Sequence, residues 1–294
     1  MNGSPLDPSP LNPSPLGPSP LDHGRLRARL AAGDVTLGTF VGTASAITAE
    51  VCAAAGADWL LLDLEHGAGG EEQARTTIPI AAAYGVPTVV RVESAARIRV
   101  GRVLDLGAAG IMLPRLDTAA EVRDALRHLR YPPVGDRGVA TYNRACRFGL
   151  DPAALDREGE ILGVVQIESA SALAEVEVIA AMDGVDVLFV GPRDLSHDLG
   201  VPGDFAAPVY QEALARVREA AAMHGKAGGL LVPDGTAAAA KRTEGWTFIA
   251  IGSDSTLLAA TLSAALDQAR RPPRPEPQQL PEPQPQPQPQ ETRS

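Results

Sequence analysis

Four polar segments, each at the end of a short apolar run, carry the side chains most suited to catalysis. Asp63, Glu65 and His66 end the run that begins at Trp59. Two carboxylates and an imidazole are costly to remove from water, and packing gives no reason to place them together. Three other apolar runs end in the same way, at Arg91, at Gln166 with Glu168, and at Arg193 with Asp194.

These residue types indicate particular chemical roles. Glu168 and Asp194 offer hard oxygen ligands that suit Mg²⁺ or Mn²⁺, whereas zinc more often draws His or Cys. His66 is the candidate acid/base because imidazole titrates near neutral pH, and Asp63 could orient its ring. Arg91 could bind a substrate carboxylate through two parallel hydrogen bonds. Taken alone, a histidine such as His66 is more often a hydrogen-bonded residue at a strand end than a catalytic group.

Structural roles are open for the other candidates as well. Asp194 could cap a helix, and Glu168 could begin one. Arg91 could form an ion pair with Glu65, Glu93 or Glu168 instead of binding a substrate. The candidates come from distant parts of the sequence, so the catalytic interpretation requires parallel strands whose ends meet.

The segment between the Pro-rich ends predicts such a fold. Apolar runs alternate with Ala-rich stretches of helical spacing, many of which stop at a glycine. About eight strand–helix units match one (β/α)8 TIM barrel, in which catalytic groups lie at the C-terminal ends of the strands. An open doubly wound sheet is the alternative, but no glycine-rich phosphate turn follows the first run. The runs begin near Leu37, Trp59, Thr88, Ile111, Gly163, Val187, Gly228 and Phe248.

Both ends of the chain are of low complexity. Residues 1–22 repeat a Ser-Pro-Leu unit, and residues 272–294 are rich in Pro, Gln and Glu. We expect both to be disordered, dispensable tails around a single domain at 23–271. A role as a ligand for a Pro-binding module is the alternative.

Composition argues against several classes of function. The net charge of −10 disfavours binding to nucleic acid. No apolar stretch reaches the roughly 18 residues of a membrane span, and we expect no signal peptide. Cys52 and Cys146 show no metal or redox spacing, which indicates a reducing cytoplasm.

Together, the candidate groups indicate chemistry on a 2-oxo acid. A metal and Arg91 would hold its carboxylate and oxo oxygens, the metal would stabilise an enolate, and His66 would move the proton. A Schiff-base mechanism requires a lysine at a strand end. The only lysines, Lys226 and Lys241, are predicted at the start of a strand and within a helix.

In this order and spacing, the segments resemble the HpcH/HpaI family of metal-dependent class II pyruvate aldolases over residues 25–270. Each segment alone is weak evidence, and together they are strong. The resemblance is carried by segments 63–66, 89–91, 104–108, 131–133, 135–138, 144–145, 148–149, 165–168, 191–196 and 251–254.

The resemblance implies a TIM barrel of the phosphoenolpyruvate/pyruvate type. It implies a homohexamer, a trimer of dimers, with a C-terminal helix exchanged between partners. It implies Mg²⁺, Mn²⁺ or Co²⁺ held by Glu168 and Asp194. It also implies His66 as acid/base with support from Asp63, and Arg91 as a catalytic residue that binds pyruvate. Further substrate-binding residues by resemblance are Gln166, Gly191, Pro192, Arg193 and, in a neighbouring subunit's site, Asp105.

We therefore expect a lyase that cleaves a 4-hydroxy-2-oxo acid to pyruvate and an aldehyde. A citramalyl- or malyl-CoA lyase is an alternative, but it requires a basic CoA-binding surface that the sequence does not reveal. A non-catalytic barrel that acts as a scaffold is a further alternative, which the intact set of candidate residues disfavours. Arg193 stands where the family often has a small residue, and our hypothesis is that it favours an acidic aldehyde.

Overall fold

The computed structural model describes residues 23–271, which contain a closed barrel of eight parallel strands. Each strand pairs with the next along the chain, and the first closes on the last. The predicted (β/α)8 fold is therefore confirmed. The strands are β1 Thr36–Val41, β2 Trp59–Asp63, β3 Thr88–Arg91, β4 Gly110–Leu113, β5 Leu162–Ile167, β6 Val187–Val190, β7 Ala227–Val232 and β8 Phe248–Ser253.

Helices follow every strand of the barrel. Side-chain caps help to start them: Ser45 accepts a hydrogen bond from the N–H of Thr48, and Thr118 does so from Glu121. The glycines predicted to stop helices have positive φ, as that role requires. The helices are α1 His23–Ala31, α2 Ala46–Ala54, α3 Glu71–Ala83, α4 Arg97–Asp105, α5 Ala119–Arg127, α6 Ala170–Ala174, α7 Val176–Ala180, α8 Pro192–Asp198, α9 Pro208–Met223, α10 Gly235–Thr243 and α11 Asp254–Arg270, with 3₁₀ helices at Arg147–Gly149 and Pro152–Glu160.

Large apolar side chains fill the interior of the barrel. Trp59 stacks on Phe248 with ring centroids 3.9 Å apart, and its indole N–H donates to Thr36. Gly38 makes room for this stack, because a Cβ at that position would lie 2.3 Å from the Trp59 ring. A barrel packed in this way has no central pore, so a ligand site can form only at its ends.

The long segment between α5 and β5 lies elsewhere than the sequence suggested. In the sequence, residues 130–160 follow the fourth apolar run, which in a barrel predicts a long loop at the C-terminal face of the strands. Instead α5 comes directly after β4 and returns the chain to the other face, and Pro152–Glu160 packs against α1 before β5 begins. The prediction was wrong because the helix of this unit, at Ala119–Arg127, lies before the long segment and not within it.

The structure divides the chain into two units, one that ends at Leu258 and one that begins at Ala259. Within the second unit, Leu262 and Leu266 of α11 are 55% and 44% exposed. The predicted tails, 1–22 and 272–294, lie outside the described residues. Among residues 23–271, no helix is both long and apolar enough to cross a membrane.

Candidate active site

A cavity of about 770 Å³ opens at the C-terminal ends of the strands. A second cavity of about 440 Å³ shares Arg193 and Asp194 with the first and contains Glu168. The strand ends therefore bring together residues that are up to 131 positions apart in the sequence. The predicted site residues that line the larger cavity are Asp63, His66, Arg91, Gln166, Gly191, Pro192, Arg193 and Asp194.

A buried ion pair joins two neighbouring strand ends. Asp63 and Arg91 are register partners on β2 and β3, and their side chains are 8% and 10% exposed. Arg91 donates from Nε to Oδ1 at 2.9 Å and from Nη2 to Oδ2 at 2.6 Å. Its Nη1 lies 3.3 Å from Glu65, and its guanidinium lies over the ring of Phe40. The two-pronged edge predicted to bind a substrate is thus occupied by Asp63.

Two opposing effects set the charge of this pair. Burial alone raises the pKa of Asp63, but Arg91 and the backbone N–H groups of His66 and Glu65 outweigh it, so the net pKa is lowered. Burial lowers the pKa of Arg91, and Asp63 with Glu65 more than reverses that shift. Both groups are therefore ionised at neutral pH, and Nη1 of Arg91 is the donor that points away from Asp63.

His66 stands at the edge of the cavity, where a substrate can reach it. Its side chain is 67% exposed, and Nε2 lies 3.8 Å from Oε2 of Glu65. Oδ1 of Asp63 accepts a hydrogen bond from the backbone N–H of His66 at 3.2 Å. Asp63 therefore holds the main chain at His66, and the carboxylate near the ring is Glu65, which differs from the predicted ring contact.

Glu168 is buried just beyond the end of β5. Its Oε1 accepts a 2.6 Å hydrogen bond from the backbone N–H of Arg115, and Gln166 donates to Oε2. Burial raises the pKa of Glu168, the Arg115 amide opposes that shift, and the nearby charges of Asp194 and Glu65 add to it. A concentration of negative charge of this kind is relieved by a bound cation.

The oxygen donors fit a hard divalent cation. Glu168 and Asp194 border the same cavity, one buried and the other exposed in the first turn of α8. Within residues 23–271, no cluster of three or more His, Cys, Asp or Glu side chains is arranged to hold a metal. A cation here would take its remaining ligands from water or substrate, which is the usual situation for Mg²⁺.

Gly191 keeps the space beside these carboxylates open. A Cβ at this position would lie 2.7 Å from Oε2 of Glu168 and 2.8 Å from Nε2 of Gln166. The next residue, Pro192, begins α8 and thereby places Asp194 in the first turn of that helix. The segment that follows β6 therefore supplies Asp194 and leaves space beside Glu168, the other metal-ligand candidate.

Asp105 lines neither of the two cavities. It ends α4 and accepts a 2.9 Å hydrogen bond from Arg137, whose guanidinium lies over the ring of Tyr131. The action of Asp105 in a neighbouring subunit's site stays a prediction.

Two parts of the site were not predicted. Asp254, at the start of α11, accepts hydrogen bonds from Gly42, Thr43 and Thr48 and so fixes the loop after β1, which lines the larger cavity. Arg115 lines the smaller cavity. Arg115 follows β4 closely, so the search for polar strand ends could have found it. Asp254 directly follows β8, so the same search could have found it, but its partners in the loop after β1 are more than 200 positions away and could not be predicted.

Comparison with known proteins gives consistent results. Residues 36–261 match the family model described as HpcH/HpaI aldolase/citrate lyase. A 4-hydroxy-2-oxovalerate aldolase of Rhodococcus jostii is 39% identical over 80% of this chain and 92% of its own length. A hydroxypyruvate/pyruvate aldolase of Paraburkholderia phytofirmans is 38% identical over 83% of this chain and 97% of its own. A solved structure of an HpcH/HpaI aldolase/citrate lyase family protein from Burkholderia cenocepacia is 36% identical. It superposes with a TM-score of 0.81 and covers 84% of this chain and all of that one.

Proposed function

Because the chain belongs to the HpcH/HpaI aldolase/citrate lyase family, we propose that it is a divalent-metal-dependent class II aldolase, a carbon–carbon lyase. It cleaves a 4-hydroxy-2-oxo acid to pyruvate and an aldehyde and catalyses the reverse addition. One observation carries the proposal: an acid/base candidate, a buried arginine and two carboxylates meet at one end of the barrel. The names of the related aldolases support the same reaction class.

Arg91 and Gln166 orient the 2-oxo acid. Asp63 holds the guanidinium in place, so that Nη1 can donate to a substrate oxygen with little loss of side-chain entropy. Gln166 lines the same cavity and is fixed by its hydrogen bond to Glu168. Gly191, Pro192 and Arg193 line the same cavity. In this proposal, Arg193 contacts the aldehyde portion of the substrate.

Glu168 and Asp194 would hold the divalent cation, for which Mg²⁺, Mn²⁺ and Co²⁺ are the candidates. When bound, the cation supplies Lewis-acid stabilisation of the negative charge that develops on the 2-oxo acid. The hydrogen bonds from Arg115 and Gln166 fix both oxygens of Glu168, which keeps one carboxylate preorganised.

His66 moves the proton in both directions. Its imidazole accepts the proton of the C4 hydroxyl, and the oxygen electrons form the aldehyde carbonyl as the C3–C4 bond breaks. The electron pair of that bond stays with the three-carbon fragment, and the imidazolium of His66 returns the proton to C3 of that fragment, which becomes pyruvate. The exposed imidazole suits this role because it can reach a hydroxyl above the cavity.

Two observations disfavour the acyl-CoA lyase and the non-catalytic scaffold as alternatives. The aldolases of Rhodococcus and Paraburkholderia match this chain over nearly their whole length, which favours an aldehyde product over an acyl-CoA product. A scaffold barrel would not require a buried arginine held by two carboxylates beside a third buried carboxylate.

We propose further that the protein is a cytoplasmic homohexamer with one catalytic domain, residues 23–271, and dispensable tails. The free thiols of Cys52 and Cys146 support a reducing compartment. The exposed leucines of α11 support assembly, because apolar side chains four positions apart share one helix face and can pack against a partner. Asp105 would then act in the site of a neighbouring subunit.

A retro-aldol assay tests the reaction. The protein is incubated with 4-hydroxy-2-oxovalerate, and pyruvate is detected through lactate dehydrogenase and NADH. We expect pyruvate to form with Mg²⁺, Mn²⁺ or Co²⁺ and not with excess EDTA, and His66→Ala to be inactive while His224→Ala retains activity. Formation of pyruvate at the same rate in EDTA, or by His66→Ala, would contradict the proposal.

A further inference from the structure

The imidazole of His66 takes its position from the main chain that carries it. Within residues 23–271, no hydrogen bond holds the ring, and its contact with Glu65 is 3.8 Å long. The main chain is instead held on both sides of His66. The carboxylate of Asp63 accepts a hydrogen bond from the N–H of His66 itself, and the N–H of Ala68 donates to the carbonyl oxygen of Gly42 at 2.8 Å. The loop after β1, which contains Gly42, therefore helps to place the ring.

The loops after β1 and β2 are packed together without space between them. A Cβ on Gly67 would lie 2.1 Å from the carbonyl oxygen of Asp63 and 3.2 Å from that of Gly42. A Cβ on Gly69 would lie 2.6 Å from the Cβ of Ala44. Contacts this close transmit a displacement from one backbone segment to the next. A shift of the loop after β1 should therefore also shift the loop that carries the acid/base candidate.

Asp254 anchors the loop after β1. This residue is buried, and its Oδ1 accepts a 3.0 Å hydrogen bond from the N–H of Gly42. Its Oδ2 accepts from the N–H of Thr43 at 3.2 Å and from the hydroxyl of Thr48 at 2.9 Å, and the hydroxyl of Thr43 also donates to it. Burial raises the pKa of Asp254, but the hydrogen bonds from Thr43, Gly42 and Thr48 outweigh it, so the net pKa is lowered.

A role in starting α11 does not account for these contacts. A side chain that only caps a helix accepts hydrogen bonds from the N–H groups of the first turn of that helix. Asp254 accepts one such bond, from the N–H of Ser255, whereas its other donors all belong to residues 42–48. Gly42 and Thr43, two of these residues, line the larger cavity. The carboxylate is thus directed at the active-site loop.

We propose that Asp254 is a positioning residue for His66 and acts through the loop after β1. The inference rests on the proposed aldolase function. The carboxylate binds the N–H of Gly42, and the carbonyl of Gly42 binds the N–H of Ala68, two residues beyond His66. Asp254 lines neither cavity, so it acts on the imidazole and not on the substrate.

Three variants test this link. Asp254→Ala removes every acceptor of the network. Asp254→Asn keeps an oxygen for the N–H of Gly42 and presents an amide that can donate to the threonine hydroxyls, so it should preserve the geometry. Asp234→Ala is the matched control. Asp234 also follows a strand and starts a helix, where it accepts a 2.8 Å hydrogen bond from the N–H of Ala237, but it lines neither cavity.

The first measurement is the cleavage of 4-hydroxy-2-oxovalerate with Mg²⁺, Mn²⁺ or Co²⁺. We expect Asp254→Ala to lower kcat at least about tenfold, because a small misplacement of a catalytic group can cost about a hundredfold. KM and the affinity for Mn²⁺ should stay at the wild-type values, since Arg91, Glu168 and Asp194 keep their places. Asp254→Asn should recover most of the lost kcat, and Asp234→Ala should keep the wild-type kcat.

The second measurement reads the position of the loop without reference to activity. Hydrogen–deuterium exchange of the backbone amides of residues 66–69, followed by mass spectrometry, should be faster in Asp254→Ala than in the wild type. Asp234→Ala should leave exchange in this segment unchanged.

Several results would overturn the inference and leave the aldolase activity standing. These are an unchanged kcat or unchanged exchange at residues 66–69 in Asp254→Ala, or an Asp254→Asn variant as slow as Asp254→Ala. A loss of Mn²⁺ affinity in Asp254→Ala would likewise overturn it, because the residue would then support the whole site and not His66. Absence of pyruvate from the wild type with all three metals would defeat the proposed function, and the inference with it.

Discussion

Asp63 and Glu65 together set the charge and the orientation of the Arg91 guanidinium. Asp63 takes the two-pronged edge of the guanidinium, and Glu65 approaches the remaining nitrogen. A buried arginine held in this way keeps its charge and its orientation. The donor is thus preorganised for the substrate before the substrate arrives, which is a common feature of catalytic sites.

Removing one charge of the buried Asp63–Arg91 pair should lower the unfolding free energy more than removing one charge of an exposed pair. Asp63→Asn removes the only carboxylate that makes two hydrogen bonds to the buried Arg91 among the described residues, and leaves Glu65 and Glu168 as the nearby charges. We expect a loss of about 3 kcal/mol in unfolding free energy, measured with urea at pH 7. Glu72→Gln breaks the exposed pair with Arg75 and should cost less than about 1 kcal/mol.

The loss of unfolding free energy in Asp63→Asn should become smaller as the pH is lowered. The pKa of Asp63 is lower in the folded state than in the unfolded chain, so its contribution is complete above about pH 4 and is lost as the pH falls through the folded-state pKa. The stability gap between wild type and Asp63→Asn should therefore narrow towards acid pH. A gap that widens there would contradict the role of the ion pair.

Two variants should affect metal binding and proton transfer independently of each other. Glu168→Gln removes a charged ligand and should weaken Mn²⁺ binding by at least about tenfold, whereas His66→Ala should bind Mn²⁺ normally and lose turnover. The free Mn²⁺ signal in electron paramagnetic resonance measures binding directly. Normal Mn²⁺ affinity in Glu168→Gln, or weak affinity in His66→Ala, would refute the respective assignment.

Strand ends could be predicted from the sequence, and so could the approach of Arg91 to Glu65, but the main contact of Arg91, with Asp63, could not. All eight apolar runs became strands, because short buried runs in alternation with helices specify a parallel barrel. The partner of Arg91 depended on the register of β2 with β3, and no pattern within either run encodes that register. The loop after β1 likewise depends on Asp254, more than 200 residues away, as part of a tertiary arrangement.

The turn between β6 and α8 should tolerate no side chain at its first residue. Gly191→Ala places a Cβ against Glu168 and Gln166, both of which are buried. We expect this variant to lose Mn²⁺ affinity by at least about tenfold, because overpacking moves side chains in a dense interior. Calorimetric titration with Mn²⁺ provides the measurement.

Gly235→Ala is the matched control. A Cβ at Gly235, the first residue of α10, would meet nothing within 4 Å, so Mn²⁺ affinity should stay at the wild-type value. Equal affinity of Gly191→Ala and Gly235→Ala would show that Glu168 is not confined by this turn or is not a ligand.

At the scale of the molecule, the exposed leucines of α11 are the feature that most needs a partner. Leu262 and Leu266 project from a helix of seventeen residues whose first turn anchors the loop after β1. The sequence could not show whether these leucines contact a partner. An apolar stripe on a helix has the same residue pattern whether it packs against its own barrel or against another copy of the chain.

Charged substitutions on this stripe should reduce the size of the assembly. The double variant Leu262→Asp with Leu266→Asp should have a lower mass by light scattering than the wild type, for which we propose a hexamer. Met223→Asp, at the end of α9 and 75% exposed, should keep the wild-type mass. A monomeric wild type, or a double variant of wild-type mass, would contradict this role of α11.

The central claim is that this barrel end, with a divalent cation, removes a proton from the methyl group of pyruvate. Exchange of those protons in D₂O, followed by NMR, tests the claim without knowledge of the aldehyde. We predict exchange that requires Mg²⁺, Mn²⁺ or Co²⁺, stops with EDTA and is absent in His66→Ala. Absence of exchange with every one of these metals would contradict the account.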